Sequence, residues 1–455
     1  VSEHTMALCG DKLVYIATAG TLDLFGQSGE RIAAVYYTAY VRKGSEGDRR
    51  PLTFVFNGGP GAASAFLHLG LVGPQVASFG PGGRDGASAQ LGDNPDSWLA
   101  FTDLVLIDPV GTGWSRAAKS DDAKNFYGVQ SDTQAMAKVI ALYVAKNSRA
   151  ASPKFILGES YGGFRAIKVS RALQDDQGIV VSGVIAVSPL IEGALQFGAN
   201  RYPLGAALQL PSLAAAELGR RHAFSPEALA AAEQFAMTDY LTTLAGRPPE
   251  GAAAAAFYGR VAQISGLPVE LVTRQRGFIR DAYVKNLRAG DGAVVSPYDA
   301  GFASPDPYPE SDTARGDDAV LDGFTRALGG LFVSYARDQL GYKTEMTYEL
   351  LATDINRKWD WHGAGESMRN ASVTGDIREL LALNPGFRLI IAHGVSDLVT
   401  PYAANRYVVN HLPRIGPGER VQLKLYRGGH MFYFAADQRR TFTGDVRDFF
   451  IAASE

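Results

Sequence analysis

Apolar and polar positions change their rhythm several times along the chain, and each change predicts a different element. Lys12 to Ala17 and Arg31 to Arg42 carry Val, Ile, Tyr and Thr at strand density, and the turn-rich Gly26-Gln27-Ser28-Gly29 between them predicts an antiparallel pair. Pro51 to Phe56 reads as another strand and runs straight into Asn57-Gly58-Gly59-Pro60-Gly61. Leu104 to Ile107 is a short continuous apolar run, as a buried strand requires, and Asp108-Pro109-Val110-Gly111-Thr112-Gly113-Trp114-Ser115 follows it. From Asp132 to Lys146 apolar residues recur at helical spacing through Met136, Val139, Ile140 and Tyr143. That helix feeds the apolar run beginning Lys154-Phe155-Ile156-Leu157, which ends in Gly158-Glu159-Ser160-Tyr161-Gly162-Gly163; Arg165 to Leu173 continues as a helix. Val180 to Val187 is strand again. Strand and helix alternate throughout, which predicts an α/β sheet.

Beyond Val187 the pattern changes. Residues 192–365 are alanine-rich and helical, with almost no continuous strand rhythm. One helix is well marked, with Ser225 to cap it, Pro226 in its first turn, Glu227 near the positive end of the dipole, and Gly246 with Pro248 to stop it. Gly290 to Asp318, dense in Gly, Pro, Asp and Ser, reads as a long loop. Strand rhythm returns in Arg388 to Ala392 and in Val421 to Tyr426. The organisation expected is therefore a sheet domain from residues 1–191 and 366–455, with residues 192–365 inserted as a helical lid. The aromatics Phe235, Tyr240, Phe257 and Tyr258 are expected to form the lid's own core, with one or two reaching the cleft.

Ser160 falls where a strand turns into a helix. In a Gly-x-Ser-x-Gly turn that tight, side chains at Gly158 and Gly162 would meet backbone, and the serine is lifted clear with its hydroxyl exposed. A plain glycine turn gives the same five letters, and the chain has 51 glycines. The late strands discriminate. His393-Gly394-Val395-Ser396-Asp397 follows the first of them and Gly428-Gly429-His430 the second. Taken singly, Asp397 is an ordinary turn residue and His430 an ordinary surface histidine. Together the order Ser160, Asp397, His430 is nucleophile, acid, histidine, each just past the carboxyl end of a strand, where open α/β sheets place their sites. A serine hydroxyl needs a histidine to accept its proton, and the imidazole needs a carboxylate to hold its tautomer. The glycines of residues 57–61 let backbone N–H groups turn toward a ligand, as an oxyanion hole beside the nucleophile demands.

Composition narrows the class without adding chemistry. The chain has 455 residues, 46% hydrophobic and 20% charged, with a formal net charge of −3. It can bury a large core, and no Lys/Arg block suggests a nucleic acid or an anionic membrane as partner. Cys9 is the single cysteine, so an intramolecular disulfide and a cysteine-based metal cluster are excluded. His4, His222, His362 and His411 share no metal-ligand spacing, and no cofactor or metal is expected. His393 reads as a packed neighbour of Asp397. The chain begins at Val1, which suggests a removed leader and a periplasmic or secreted protein, with the cytoplasm left open.

As a set, Asn57-Gly58-Gly59-Pro60-Gly61, Asp108-Pro109-Val110-Gly111-Thr112-Gly113, Gly158-Glu159-Ser160-Tyr161-Gly162-Gly163, the Asp397 segment, Gly429-His430 and Trp359-Asp360 resemble the serine carboxypeptidases, their bacterial relatives in particular. The resemblance runs along nearly the whole chain. It implies an α/β-hydrolase fold, a mixed and mostly parallel sheet flanked by helices with an inserted helical lid. It also implies an oxyanion hole from the N–H groups of Gly59 and Tyr161, and a peptide substrate whose free C-terminal carboxylate is bound by Asn57 and a protonated Glu159. The chain departs from the family in two places. Ala62 stands where well-studied eukaryotic members have cysteine. Between Ser64 and Gly73-Pro74 the family has a second glutamate, whereas this chain has Ala65-Phe66-Leu67-His68-Leu69-Gly70-Leu71-Val72. His68 is the one ionisable residue there, read either as an ordinary helix histidine or as a substitute that attracts a carboxylate when protonated. Besides the carboxypeptidase, an esterase or acyltransferase with the same triad and a non-catalytic binding protein remain as alternatives; the oligomeric state is open.

Overall fold

The computed structural model describes residues 1–8, 10–44 and 49–453, so Cys9 lies outside the described residues. Its frame is a ten-stranded sheet. The strands are β1 (Ser2–Leu8), β2 (Asp11–Phe25), β3 (Arg31–Arg42), β4 (Leu52–Phe56), β5 (Asp103–Ile107), the two-residue β6 (Arg116–Ala117), β7 (Lys154–Glu159), β8 (Gly183–Val187), β9 (Arg388–Gly394) and β10 (Val421–Tyr426). Their spatial order is β1-β2-β3-β5-β4-β7-β8-β9-β10, with β6 paired to β3. The first strands are antiparallel up to the β3–β5 pair, and from β5 to β10 every neighbour is parallel. The expected α/β sheet is therefore present. β1 is an addition, a strand whose inward positions Met6 and Leu8 are too few to mark it in the sequence.

Burial on both faces explains why the parallel strands read as continuous apolar runs. Along β7, Phe155 and Leu157 join a layer containing Trp98, Phe442, Phe449 and Phe450. Ile156 joins the opposite layer with Met136, Ile140, Phe164 and Ile167 from the helices Val129–Lys146 and Tyr161–Gln177. The chain steps from β4 to β5 on one side and from β7 to β8 on the other, so the strand order reverses between β4 and β7. A crevice opens at the carboxyl ends of strands at such a reversal.

Between β8 and β9 the regular structure is helical apart from one short hairpin. Ser225 Oγ accepts the Ala228 N–H at 3.1 Å, and the marked helix runs Pro226–Phe235, through a π turn at Ala236–Tyr240, to Leu241–Ala245 and its stop at Gly246. The long loop expected at 290–318 instead contains a small antiparallel hairpin, Ala293–Val295 with Ala303–Pro305. Its three-residue strands are too short to display an alternating pattern. Part of this region has a core of its own, built on Leu210, Leu213, Tyr240, Tyr258, Val261 and Tyr283. The helix Ala327–Asp338 does not share it. Phe332 and Tyr335 pack into the sheet layer, Phe332 with its ring centroid 5.7 Å from Trp114 and 5.1 Å from His68. Among the described residues no helix is long and apolar enough to cross a membrane.

Phe332 is fully buried among aromatic rings drawn from distant parts of the chain. Truncating it leaves a cavity that those rigid rings cannot close, so Phe332→Ala should cost about 3–5 kcal/mol. Denaturant unfolding should show the loss as a lower midpoint of the main transition. A change under about 1 kcal/mol would mean that this helix is not part of the sheet core.

Candidate active site

Ser160 sits between the end of β7 and the helix Tyr161–Gln177, with φ 59° and ψ −124°. A non-glycine residue held there costs about 1–3 kcal/mol and persists only where its surroundings over-determine it. Here they do so by contact. A Cβ on Gly158 would lie 1.9 Å from the Gly162 carbonyl oxygen, one on Gly162 2.7 Å from that of Phe56, and one on Gly58 2.5 Å from that of Glu159. Strand, turn and the loop after β4 are thus in backbone contact. The Ser160 N–H donates to Val187 O at 2.9 Å, and its carbonyl accepts from Gly163 and Leu190. The half-buried side chain faces a cavity of about 250 Å³.

The structure brings His430 to that cavity from beyond the end of β10, with Asp397 behind it from beyond the end of β9. His430 Nδ1 lies 2.7 Å from Asp397 Oδ2, and both side chains are buried. The second oxygen, Oδ1, accepts the N–H groups of Val399 at 2.8 Å and Thr400 at 3.1 Å, and Thr400 Oγ1 lies 2.8 Å from Oδ2. With Nδ1 committed to the carboxylate, Nε2 is the imidazole nitrogen left for a serine proton. Burial alone would lower the His430 pKa, but the charge of Asp397, its hydrogen bond and the charge of Glu159 outweigh it and the net shift is upward.

A buttress that sequence reasoning missed holds these two loops together. Tyr298 O accepts the His430 N–H at 2.6 Å, Pro297 O accepts the Leu398 N–H at 3.0 Å, and Ser396 Oγ donates to Asp299 Oδ1 at 2.7 Å. The Tyr298 ring meets the His430 ring edge-on at 5.5 Å. These residues lie in the turn of the 293–305 hairpin, whose composition reads as an unstructured loop. His393 does pack nearby, fully buried, with Nε2 accepting from Asn405 Nδ2 at 2.8 Å. Desolvation pushes its pKa down to about 3, so it stays neutral.

Gly59 and Tyr161 also line the cavity. Among the described residues, neither of their backbone N–H groups is taken up by a backbone acceptor. The loop carrying Gly59 is anchored from below. Arg165 Nη1 donates to Asn57 O at 2.6 Å, while its Nε donates to the buried Asp132 at 2.6 Å. Asp108 is buried one strand away, its Oδ1 accepting both the N–H and the hydroxyl of Ser64 at 2.8 and 2.7 Å. It therefore fixes the end of the residue 57–64 loop, and desolvation pushes its pKa up to about 6.

Glu159 and Asn57 lie side by side at the cavity. Asn57 Nδ2 donates to Glu159 Oε2 and its Oδ1 accepts the Leu67 N–H at 3.0 Å. The other oxygen of Glu159 accepts from Tyr433 at 2.8 Å. Burial pushes the Glu159 pKa up to about 7, against the opposing effects of the His430 charge and the hydrogen bonds from Tyr433 and Asn57. His68, in contrast, is not at this site. Its Nε2 is 2.7 Å from the Tyr40 hydroxyl, its ring lies against Phe332, and desolvation pushes its pKa down to about 3. A group that stays neutral cannot attract a carboxylate, so the substitute role does not hold.

Phe66, Leu190, Phe197, Tyr298, Leu321 and Trp361 give the cavity its apolar walls. Several come from residues 192–365, but Phe235, Tyr240, Phe257 and Tyr258 do not reach it. They pack against one another, with ring centroids 5.2 to 6.1 Å apart. Trp359 and Trp361 instead flank the Tyr161 ring at 5.2 and 5.6 Å, and Asp360 between them exchanges backbone hydrogen bonds with Tyr127 and Val129. Among the described residues, no group of three or more His, Cys, Asp or Glu side chains is placed to hold a metal ion.

Residues 23–194 match the family model described as serine carboxypeptidase. That stretch, which holds the residue 57–61 loop and the turn at Ser160, is similar to the serine carboxypeptidases. Serine carboxypeptidase-like 42 of Arabidopsis thaliana is 33% identical over 151 residues, 32% of this chain and 28% of that relative. Serine carboxypeptidase-like 41 of the same plant is 31% identical over 154 residues, 33% of this chain and 30% of its own. The match thus spans under a third of the length of these curated relatives. The fold extends much further. The crystal structure of Kex1Δp, a prohormone-processing carboxypeptidase from Saccharomyces cerevisiae, superimposes with a TM-score of 0.59 at 15% identity, covering 95% of this chain and 90% of that one. The chain has the α/β-hydrolase fold, a mixed and mostly parallel sheet flanked by helices, which the serine carboxypeptidase resemblance implies.

The close contacts at the elbow can be tested against a glycine in open space. In Gly158→Ala the added methyl would overlap the Gly162–Gly163 backbone, so the variant should fail to fold or unfold at least about 3 kcal/mol more easily. Gly330→Ala, in the helix Ala327–Asp338 with no atom near its Cβ position, should gain about 0.5–1 kcal/mol. Thermal melts of both variants against the parent compare the two, and a Gly158→Ala protein of parental stability would contradict the contact geometry.

Proposed function

We propose that the protein is a serine carboxypeptidase that removes the C-terminal residue of a peptide through an acyl-enzyme on Ser160. The observation that carries this reading is the pairing of the buried Glu159 with Asn57 in the cavity that Ser160 and His430 also line. A protonated Glu159 and the Asn57 amide are donors suited to a free C-terminal carboxylate one residue beyond the scissile bond. In this reading Ser160 Oγ attacks the scissile carbonyl carbon while His430 Nε2 takes its proton, and Asp397 stabilises the imidazolium formed. The N–H groups of Gly59 and Tyr161 hold the oxyanion. His430 then gives its proton to the departing amine, and a water, activated by the same imidazole, releases the shortened peptide. Residues 192–365 act as the lid, a role supported by Phe197, Tyr298, Leu321 and Trp361 in the cavity wall. A periplasmic or secreted location belongs to the same reading.

A second reading, an esterase or acyltransferase on the same triad, is favoured by the cavity walls. Among the described residues they carry no Lys or Arg for a carboxylate, and residues 65–72 bring no second acid. The discriminating experiment offers an N-blocked apolar dipeptide as the free acid and as the amide. The carboxypeptidase reading expects kcat/KM for the acid to exceed that for the amide by at least about tenfold, the worth of a hydrogen bond to a charged group. Equal cleavage favours the second reading.

The titrations give the two substrates different pH profiles. Glu159 binds a carboxylate only while it carries its proton, so with a pKa of about 7 acid-substrate affinity is present below pH 7 and lost above it. His430 accepts a proton only when neutral, and its raised pKa moves the onset of turnover above its ordinary value. Initial rates should therefore give a narrow bell for the acid, and a curve that rises to a plateau for the amide or an ester. A plateau for the acid as well would remove Glu159 from its recognition.

Substitutions test the nucleophile itself. Ser160→Ala and His430→Ala should each reduce kcat on the order of 10⁶-fold, and Asp397→Asn on the order of 10⁴-fold, because the amide favours the wrong imidazole tautomer. Ester hydrolysis by purified, folded variants is the measurement, and near-parental turnover in Ser160→Ala would end this reading.

A further inference from the structure

The stretch that carries no second acid is in tight contact with a side chain that no motif announced. Residues 65–72 form a buried helical segment, Ala65–Leu67 followed by a π turn at His68–Val72. Gly70 faces the ring of Tyr433 so closely that a Cβ there would lie 2.7 Å from Tyr433 Cε2. The ring is thereby seated, and it is further enclosed by Phe432 and Phe434, with centroids 6.0 and 5.0 Å away. Tyr433 is fully buried, and its hydroxyl donates to Glu159 Oε1 at 2.8 Å. Among the described residues, no second carboxyl lies on that side of Glu159. It has a phenol delivered by the turn that follows His430.

We propose that Tyr433 is a positioning residue that stands in for the absent second acid, holding Glu159 from the side opposite Asn57 and setting the pH above which the site rejects a substrate carboxylate. This rests on the carboxypeptidase reading above. A second carboxyl and a phenol act on Glu159 in opposite directions. Two neighbouring carboxyls share protons and resist joint ionisation, so each keeps the other protonated to higher pH. A phenol that donates to a carboxylate stabilises the ionised form and titrates far above neutrality, so it lowers the pH at which Glu159 loses its proton. The other groups acting on Glu159 are few. From the loop after β4 comes Asn57, a donor without charge. The charges of His430 and Asp397 act from the loops after β10 and β9, and the buried Tyr298 hydroxyl senses Glu159 from the hairpin turn. His68 stays neutral and bonds Tyr40 instead. Tyr433 is therefore the donor whose removal changes the ionisation of Glu159 with the least disturbance of the triad.

Binding separates this role from turnover. In the full-length Ser160→Ala protein, the Kd of an N-blocked dipeptide acid and of its amide is measured by calorimetry from pH 5 to pH 9. The acid should bind more tightly at pH 5 and lose that advantage with a midpoint near pH 7, where burial places the pKa of Glu159. Adding Tyr433→Phe, which keeps the ring against Gly70 and removes only the hydroxyl, should move that midpoint upward by about one pH unit, the worth of one hydrogen bond to a charged group. Replacing Tyr433 by fluorotyrosine, a stronger donor of nearly the same shape, should move it downward. The amide binding of each protein reports an intact cavity. An acid advantage whose midpoint stays put in both variants, or moves with the opposite sign, overturns the role of Tyr433 and leaves the carboxypeptidase reading standing. Equal binding of acid and amide at every pH overturns that reading and this inference together.

Discussion

The site depends first on how closely three backbones approach one another. The end of β7, the first turn of the helix Tyr161–Gln177 and the loop after β4 meet at Gly158, Gly162 and Gly58, where any Cβ would overlap a neighbouring main-chain atom. That contact forces Ser160 to φ 59° and turns its side chain away from the sheet. It also sets the proposed oxyanion donors, the N–H groups of Gly59 and Tyr161, beside Ser160, since Gly59 follows Gly58 and Tyr161 follows Ser160. Glu159 precedes the serine on the same strand and becomes a wall of the same cavity. Strain at one residue, ordinarily a cost of about 1–3 kcal/mol, is held by packing that extends through both sheet layers.

A second level of organisation is electrostatic. The cavity is largely apolar, yet Glu159 and His430 line it, with Asp397 hydrogen-bonded behind His430 and Asn57 and Tyr433 donating to Glu159. Arg165 joins the two halves of the site through one guanidinium, its Nε on Asp132 and its Nη1 on the Asn57 carbonyl. The loop carrying Gly59 is thereby tied to the helix that begins at Tyr161. Burial also divides the titratable groups by role. His68 and His393, without a facing carboxylate in hydrogen-bond contact, stay neutral, whereas His430 has Asp397 to favour its charged form. Environment, more than residue type, separates these three imidazoles.

Much of this is legible in the sequence wherever the information is local. Ser160, Asp397 and His430 each come a few residues after an apolar run, so strand ends and site residues announce one another. The elbow glycines, the Ser225 cap and most sheet strands are visible for the same reason. What is not legible rests on contacts distant in sequence. Arg165 lies in a predicted helix and looks like a surface residue until Asp132 and Asn57 close around it. Tyr433 sits in Met431-Phe432-Tyr433-Phe434, which reads as core, and its partner Glu159 is 274 positions away. Tyr298 lies among Gly, Pro, Ser and Asp residues that signal a loop, and nothing local reveals that it holds His430. The helix Ala327–Asp338 has an apolar face, but its pattern cannot say which core that face joins.

Every role proposed for the cavity depends on Ser160 being a nucleophile activated by His430. A fluorophosphonate probe, followed by peptide mapping of the labelled protein, tests this most directly. One phosphonyl group per chain should form, on Ser160, at a rate that falls steeply in His430→Ala. Labelling at another serine, or labelling of Ser160 that is unaffected by His430→Ala, would contradict the account.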